Sequence, residues 1–219
     1  VWHLGPARYR EIRKRYEGLT AQPERLSIDL NIVDRYQDVY PTRRQTGAEL
    51  AQLVHEASAS FDQVALYFEY SLRPVDLPLL GPAAARVEHY REEGGKLHIG
   101  LGAPATVAWK GNARVNGMTW PLTDGERLLL PRGQWVIEPT TEQAETRLLD
   151  TNVRVEEVVR EEATFRVRYS SRAAGKAVIQ TATGTETLDL PGGQGELRLS
   201  AKPVAAGVES SSAQLLRQQ

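Results

Sequence analysis

The residues best placed to do chemistry are carboxylates, amides and phenols carried on two strand-like runs. From Leu26 to Ile32, apolar residues hold the even positions, and Ser27, Asp29 and Asn31 hold the odd ones. From Val64 to Ser71, one face is Val64, Leu66, Phe68 and Tyr70, and the other is Ala65, Tyr67, Glu69 and Ser71. Side chains alternate across a strand, so each run has one greasy face and one that turns polar towards its C-terminal end. Glu69 is the leading catalytic candidate, because a carboxyl group at a strand end could act as general acid, general base or nucleophile. A second reading makes it a structural carboxylate, hydrogen-bonded to Tyr67 or to an arginine. Asp29 lies deeper on its strand and suits organising the interior, whereas Asn31 and Asp34 lie nearer the rim. Two carboxylates flanking a sugar ring can hydrolyse a glycosidic bond, and Asp34 or Asp29 with Glu69 is the pair on offer. Tyr36, Tyr40 and Tyr70, and Trp2 beside His3, add rings that could stack on a sugar or simply pack.

Those side chains need elements to hold them. Between the two runs lies a helix, opened by a capping box at Thr46 and Glu49 and buried along Leu50, Leu53, Val54 and Ala57. Strand, helix, strand predicts a parallel pair with a right-handed crossover. Polar groups at the C-terminal ends of parallel strands are where α/β folds place their sites. An earlier helix covers about residues 6–17, with Pro6 at its first turn, Tyr9, Ile12 and Tyr16 along its stripe, and Gly18 ending it. A third is expected from Leu79 to about Tyr90, before Gly94-Gly95. Two parallel strands cannot close a core and leave their edges unpaired. With the chain opening at Val1 straight into a helix, the expectation is a fragment whose partner strands lie upstream.

From Lys96 the pattern changes. Short apolar runs alternate with Gly, Pro, Asn and Asp every ~8–12 residues, as antiparallel β structure does. Strands are expected at 97–101, 105–110, 114–115, 127–130 and 135–138, then at 152–159, 163–170, 177–181, 186–190 and 195–200. Asn116-Gly117 and Asp124-Gly125 are turn signals. The expected division is therefore a barrel-like portion over 1–93, a small β module over 94–149, a β-sandwich module over 150–206 and a loosely ordered tail over 207–219.

Composition narrows the function classes. The chain has 219 residues, 41% hydrophobic and 25% charged, and a net charge of -1 with acids and bases interspersed, so it offers no basic field for nucleic acid. Cysteine is absent, which removes disulfides, thiolate metal sites and cysteine nucleophiles. No run reaches the ~18–20 apolar residues of a membrane span. His3, His55, His89 and His98 show no ligand spacing, so neither metal nor cofactor is expected. Gly100-Leu101-Gly102 lacks the third glycine and the following helix of a nucleotide fold and reads as a β turn. Trp109, Trp120 and Trp135 could form a carbohydrate platform, but alternating strands favour core and hairpin packing.

The stretches Asp29 to Tyr36, Gln45 to Leu50 and Ala65 to Glu69 resemble the last quarter of a TIM barrel. They are similar to glycoside-hydrolase-like barrels of bacterial surface or exopolysaccharide proteins, in which β-sandwich modules often follow the barrel. The resemblance covers about residues 1–90. It implies the closing βα units of a (β/α)8-type barrel, an α/β part followed by all-β modules. It also implies an extracytoplasmic protein that hydrolyses or binds polysaccharide or oligosaccharide at strand ends. Asp29, Asp34 and Glu69 match the family's strand-end carboxylates; Glu69 and Asp34 are the expected catalytic residues, and Asp29, Asn31, Tyr36, Tyr67 and Trp2 the expected substrate-binding ones. A further acid would lie upstream in the absent barrel half, which leaves the enzymatic question open. The competing reading is a non-catalytic scaffold whose β modules bind carbohydrate or protein.

Overall fold

The computed structural model describes residues 5–34, 43–67 and 72–205. The first part holds helices α1 (Gly5–Glu17), α2 (Ala48–Ser58) and α3 (Leu77–Ala85), with strands β1 (Ser27–Asn31), β2 (Val33–Asp34), β3 (Arg43–Arg44) and β4 (Gln63–Tyr67). β1 and β4 pair in parallel, Ser27 opposite Gln63 and Asn31 opposite Tyr67. The alternation read from sequence sets the faces. Ile28 and Leu30 are buried with Tyr9, Leu50, Leu53, Val54 and Phe61, while Ser27 and Asp29 point outward.

The start of α2 is not the expected capping box. Gly47 is the N-cap, with φ +57° and no side-chain cap bond from its own turn. The buried Asp76 takes over from 29 residues away: its Oδ1 accepts from the Gly47 N–H at 3.0 Å. Arg73 completes the clamp by donating Nε to Oδ2 at 2.8 Å and Nη2 to Oδ1 at 3.0 Å. That guanidinium holds the Asp76 carboxyl below the ordinary carboxylate range, burial opposing it and the Gly47 N–H reinforcing it. The clamp ties the start of α3 to the start of α2.

The remainder is β structure. β5 (Val87–Glu93), β6 (Lys96–Leu101), β8 (Ala113–Val115), β9 (Met118–Thr119) and β11 (Gly133–Pro139) form one sheet in the order β5-β6-β11-β8-β9. β7 (Ala105–Ala108) pairs with β10 (Arg127–Leu130), and β12 (Glu142–Ala144) with β19 (Pro203–Ala205). β13 (Arg147–Thr151), β16 (Gly175–Thr181) and β17 (Gly184–Leu190) make a three-stranded sheet. So do β14 (Arg154–Glu161), β15 (Thr164–Ser171) and β18 (Gly193–Ser200), in the order β14-β15-β18. These sheets are antiparallel, and their inner faces share one buried cluster that includes Trp120, Leu128, Ile137, Phe165, Val167 and Ile179.

Three expectations fail here. The barrel is the first: strands make up 51% of the described residues, which contain only three short helices, and β1 and β4 form a two-stranded sheet by themselves. A barrel stave needs parallel neighbours on both edges, and the chain after α3 enters antiparallel hairpins instead. This architecture lends no support to an upstream barrel half as partner. The helix expected to run to Tyr90 is the second. α3 stops at Ala85, where Arg86 takes a left-handed φ of +52°. Val87–Glu93 then folds back on β6 as a hairpin around Gly94 and Gly95. Nor is Gly100-Leu101-Gly102 a turn, since Gly100 and Leu101 close β6. A Cβ at Gly100 would stand 2.6 Å from the His89 ring, so glycine is what admits that ring.

Candidate functional site

The strand ends named from sequence are described in part. Asp29, Asn31 and Tyr67 share the open face of the β1-β4 sheet, where Tyr67 is 50% exposed. Asn31 acts locally, its Oδ1 accepting from the Val33 N–H at 2.9 Å and shaping the break between β1 and β2. Asp29 and Tyr67 each already engage another group. The Asp34 backbone lies in β2, opposite Arg43 of β3. Glu69, Tyr36 and Trp2 lie outside the described residues, as do Tyr40, Tyr70 and the tail from 207. The structure therefore brings Asp29, Asn31 and Tyr67 together on one face. Of the tryptophans, Trp120 is buried and tilts against Trp135 at 5.6 Å between ring centroids, which makes it core.

A larger feature lies at the opposite, N-terminal ends of β1 and β4. There a trench of about 1310 Å³ runs between the first part of the fold and the β14-β15-β18 sheet. One wall is the outer face of that sheet, carrying Arg154, Glu156, Arg168, Ser170, Gln194 and Glu196. The register places Arg154 opposite Ser170, Ser170 opposite Gln194, and Arg168 opposite Glu196. Their inward neighbours Val155, Val167 and Tyr169 are core, so the wall is rigid.

A β-bulge enriches it. Glu156 accepts from Ser170 Oγ at 2.6 Å, and Glu157 pairs with Arg168 Nε at 3.3 Å. Ser170 and Arg168 are two residues apart on a strand and share a face, so the consecutive glutamates share it too. The register slip between Val155 and Glu157 is what allows this. Glycine shapes the other end of the sheet. Gly195 lies beneath the Tyr169 ring, which a Cβ would overlap. Gly192 packs against the Ala173 backbone so tightly that a Cβ would stand 3.0 Å from its carbonyl carbon.

The second wall comes from Gln22 and Arg25, ahead of β1, and from Asp62 and Gln63 at the entry to β4. Polar bonds cross between the walls. Arg154 donates Nη1 to Asp62 Oδ1 at 2.9 Å, and its Nε lies 3.1 Å from Glu156 Oε1. Arg172 donates Nη1 to the amide oxygen of Gln63, and Arg25 donates Nη2 to the Arg172 carbonyl at 3.4 Å. Asp62 and Glu156 both contact Arg154, an arrangement suited to structure and recognition.

Sequence reading missed this trench, although the alternation from Thr164 to Tyr169 does put Arg166 and Arg168 outside. Among the described residues, no cluster of three or more His, Asp or Glu is arranged for a metal ion, and no helix is long and apolar enough to cross a membrane. No protein-family model matches this chain, and neither a curated protein nor a solved structure matches it.

Proposed function

We propose that the protein is a non-catalytic binding module for an extended polysaccharide or oligosaccharide, held in the trench between its two parts. The trench carries the reading. Drug-like pockets run to about 300–1000 Å³, whereas this one is larger and mixes guanidinium, amide, hydroxyl and carboxylate groups with apolar surface in similar measure. A sugar presents hydroxyls that both donate and accept, and such side chains meet both needs. Fixing them at alternate positions on a rigid sheet lowers the entropy cost of ordering a flexible chain against it. A polysaccharide ligand fits work outside the cytoplasm.

A second reading, hydrolysis at the ends of β1 and β4, draws on the open face shared by Asp29, Asn31 and Tyr67. Calorimetric titration with soluble oligosaccharides, alongside an assay for released reducing ends, separates the two. The trench reading expects saturable binding without cleavage. It also expects Gln194→Ala to weaken binding by about 3–10-fold, the loss of one hydrogen-bonding side chain. Cleavage that survives Gln194→Ala and is lost in Asp29→Asn would reverse the choice.

A further inference from the structure

We infer that the trench selects sugars bearing an acetamido group, whose carbonyl oxygen accepts a hydrogen bond from the Tyr169 hydroxyl; this rests on the trench being the saccharide site. Tyr169 on β15 lies opposite Gly195 on β18, and both residues line the trench. The tyrosine is only 4% exposed and packs in the β core. The phenol end of its ring lies over Gly195, where a Cβ would stand 2.3 Å from both Cζ and the hydroxyl oxygen. β18 is the edge strand of its sheet, so a ring that crosses it arrives at the rim. Among the described residues that hydroxyl has no hydrogen-bonding partner, and it is not sealed from the surface.

Burying a hydroxyl without a partner costs free energy, and a buried tyrosine normally finds one. Phenylalanine would fill the same space without that cost. The phenol is accounted for by a partner that arrives from the trench, and its surroundings narrow the choice. At that end the lining is Ala173, Ala174, Gly193 and Gly195, none of which carries a polar side-chain atom. Ala173 is fixed there by close packing on Gly192 and by Ser171 Oγ, which donates to its carbonyl at 2.7 Å. A bare sugar hydroxyl would find one polar partner and otherwise face methyl and methylene groups. An acetamido group suits the place better. Its carbonyl accepts from the phenol, its methyl lies against the alanines, and its N–H is left for the polar wall.

The test is calorimetric titration of the whole chain with two neutral oligosaccharides of equal length. One is a chito-oligosaccharide and the other a cello-oligosaccharide, which differ only in the acetamido group that replaces a hydroxyl. The first is expected to bind about tenfold more tightly, from one added hydrogen bond and the buried methyl. Tyr169→Phe keeps the ring and removes only the hydroxyl. It should cut the preference to about twofold and leave binding of the cello-oligosaccharide unchanged. Its melting temperature should not fall, because no bond within the protein is lost. Equal affinity for the two sugars, or a preference that survives Tyr169→Phe, would overturn the inference and leave the trench reading standing. A lowered melting temperature in Tyr169→Phe would assign the hydroxyl to the fold and overturn it as well. Failure of both sugars to bind would remove the trench reading too.

Discussion

The two parts of the molecule solve the problem of a sheet's second face in opposite ways. In the first part, α2 and its neighbours cover one face of β1 and β4, and the other face, with Asp29 and Tyr67, stays open. In the β part, sheets cover one another, and a shared core takes in Ile137, Phe165 and Leu199 from different strands. Large exposed apolar residues follow the same split. Among the described residues, Tyr16, Leu19, Tyr67, Val75, Leu77 and Leu79 belong to the first part, and only Tyr90 to the β part. The buried clusters do not merge, and the contacts named across the trench are polar. The larger buried cluster is thus in the β part, and the trench proposed as the binding site lies where a covered sheet meets a half-covered one.

The sharpest way to break this comparison is to hollow out each core in turn. Phe165→Ala should cost about 3–5 kcal/mol and Leu53→Ala about 2–5 kcal/mol, from lost burial and the cavity left behind. Separate cores predict that scanning calorimetry shows Phe165→Ala lowering the melting of the β part and Leu53→Ala that of the first part alone. A single transition that both variants shift equally would merge the two regions. A smaller effect comes from the Asp76 clamp. Its carboxyl pKa is depressed in the folded state, so above the unfolded-state value the clamp contributes its full stability. That contribution is lost as the pH falls through the folded value. Thermal melts of the first part should therefore decline in acid, and Asp76→Asn should lower the melting temperature near neutral pH while flattening that acid decline. An unchanged acid limb in Asp76→Asn would assign the acid sensitivity to other groups.

Much of the first part was legible because one covered face imposes a strict period of two. The parallel pairing of β1 with β4 and the split between Ile28, Leu30 and Ser27, Asp29 follow from it. The barrel did not follow, because the same strand-helix-strand unit also serves as a two-stranded sheet beside β modules. Thr46 and Glu49 look like a capping box in sequence, yet Gly47 at positive φ turns the chain differently, and the cap arrives from Asp76. Val87 to Glu93 was missed as a strand because its residues are mostly polar and exposed on both faces, so alternation is weak. The trench was the least legible feature. It needs Arg25 beside Arg172, and a bulge at Glu156 that breaks the alternation from which faces are read.

The most direct test is to map ligand binding residue by residue, by titrating isotope-labelled protein with an oligosaccharide and following backbone amide shifts. The account predicts that Arg25, Gln63, Ser170, Arg172 and Gln194 move in concert and saturate together, while Asn31 and Tyr67 at the far ends of β1 and β4 stay in place. Shifts centred on Asn31 and Tyr67, with the trench amides unmoved, would contradict it.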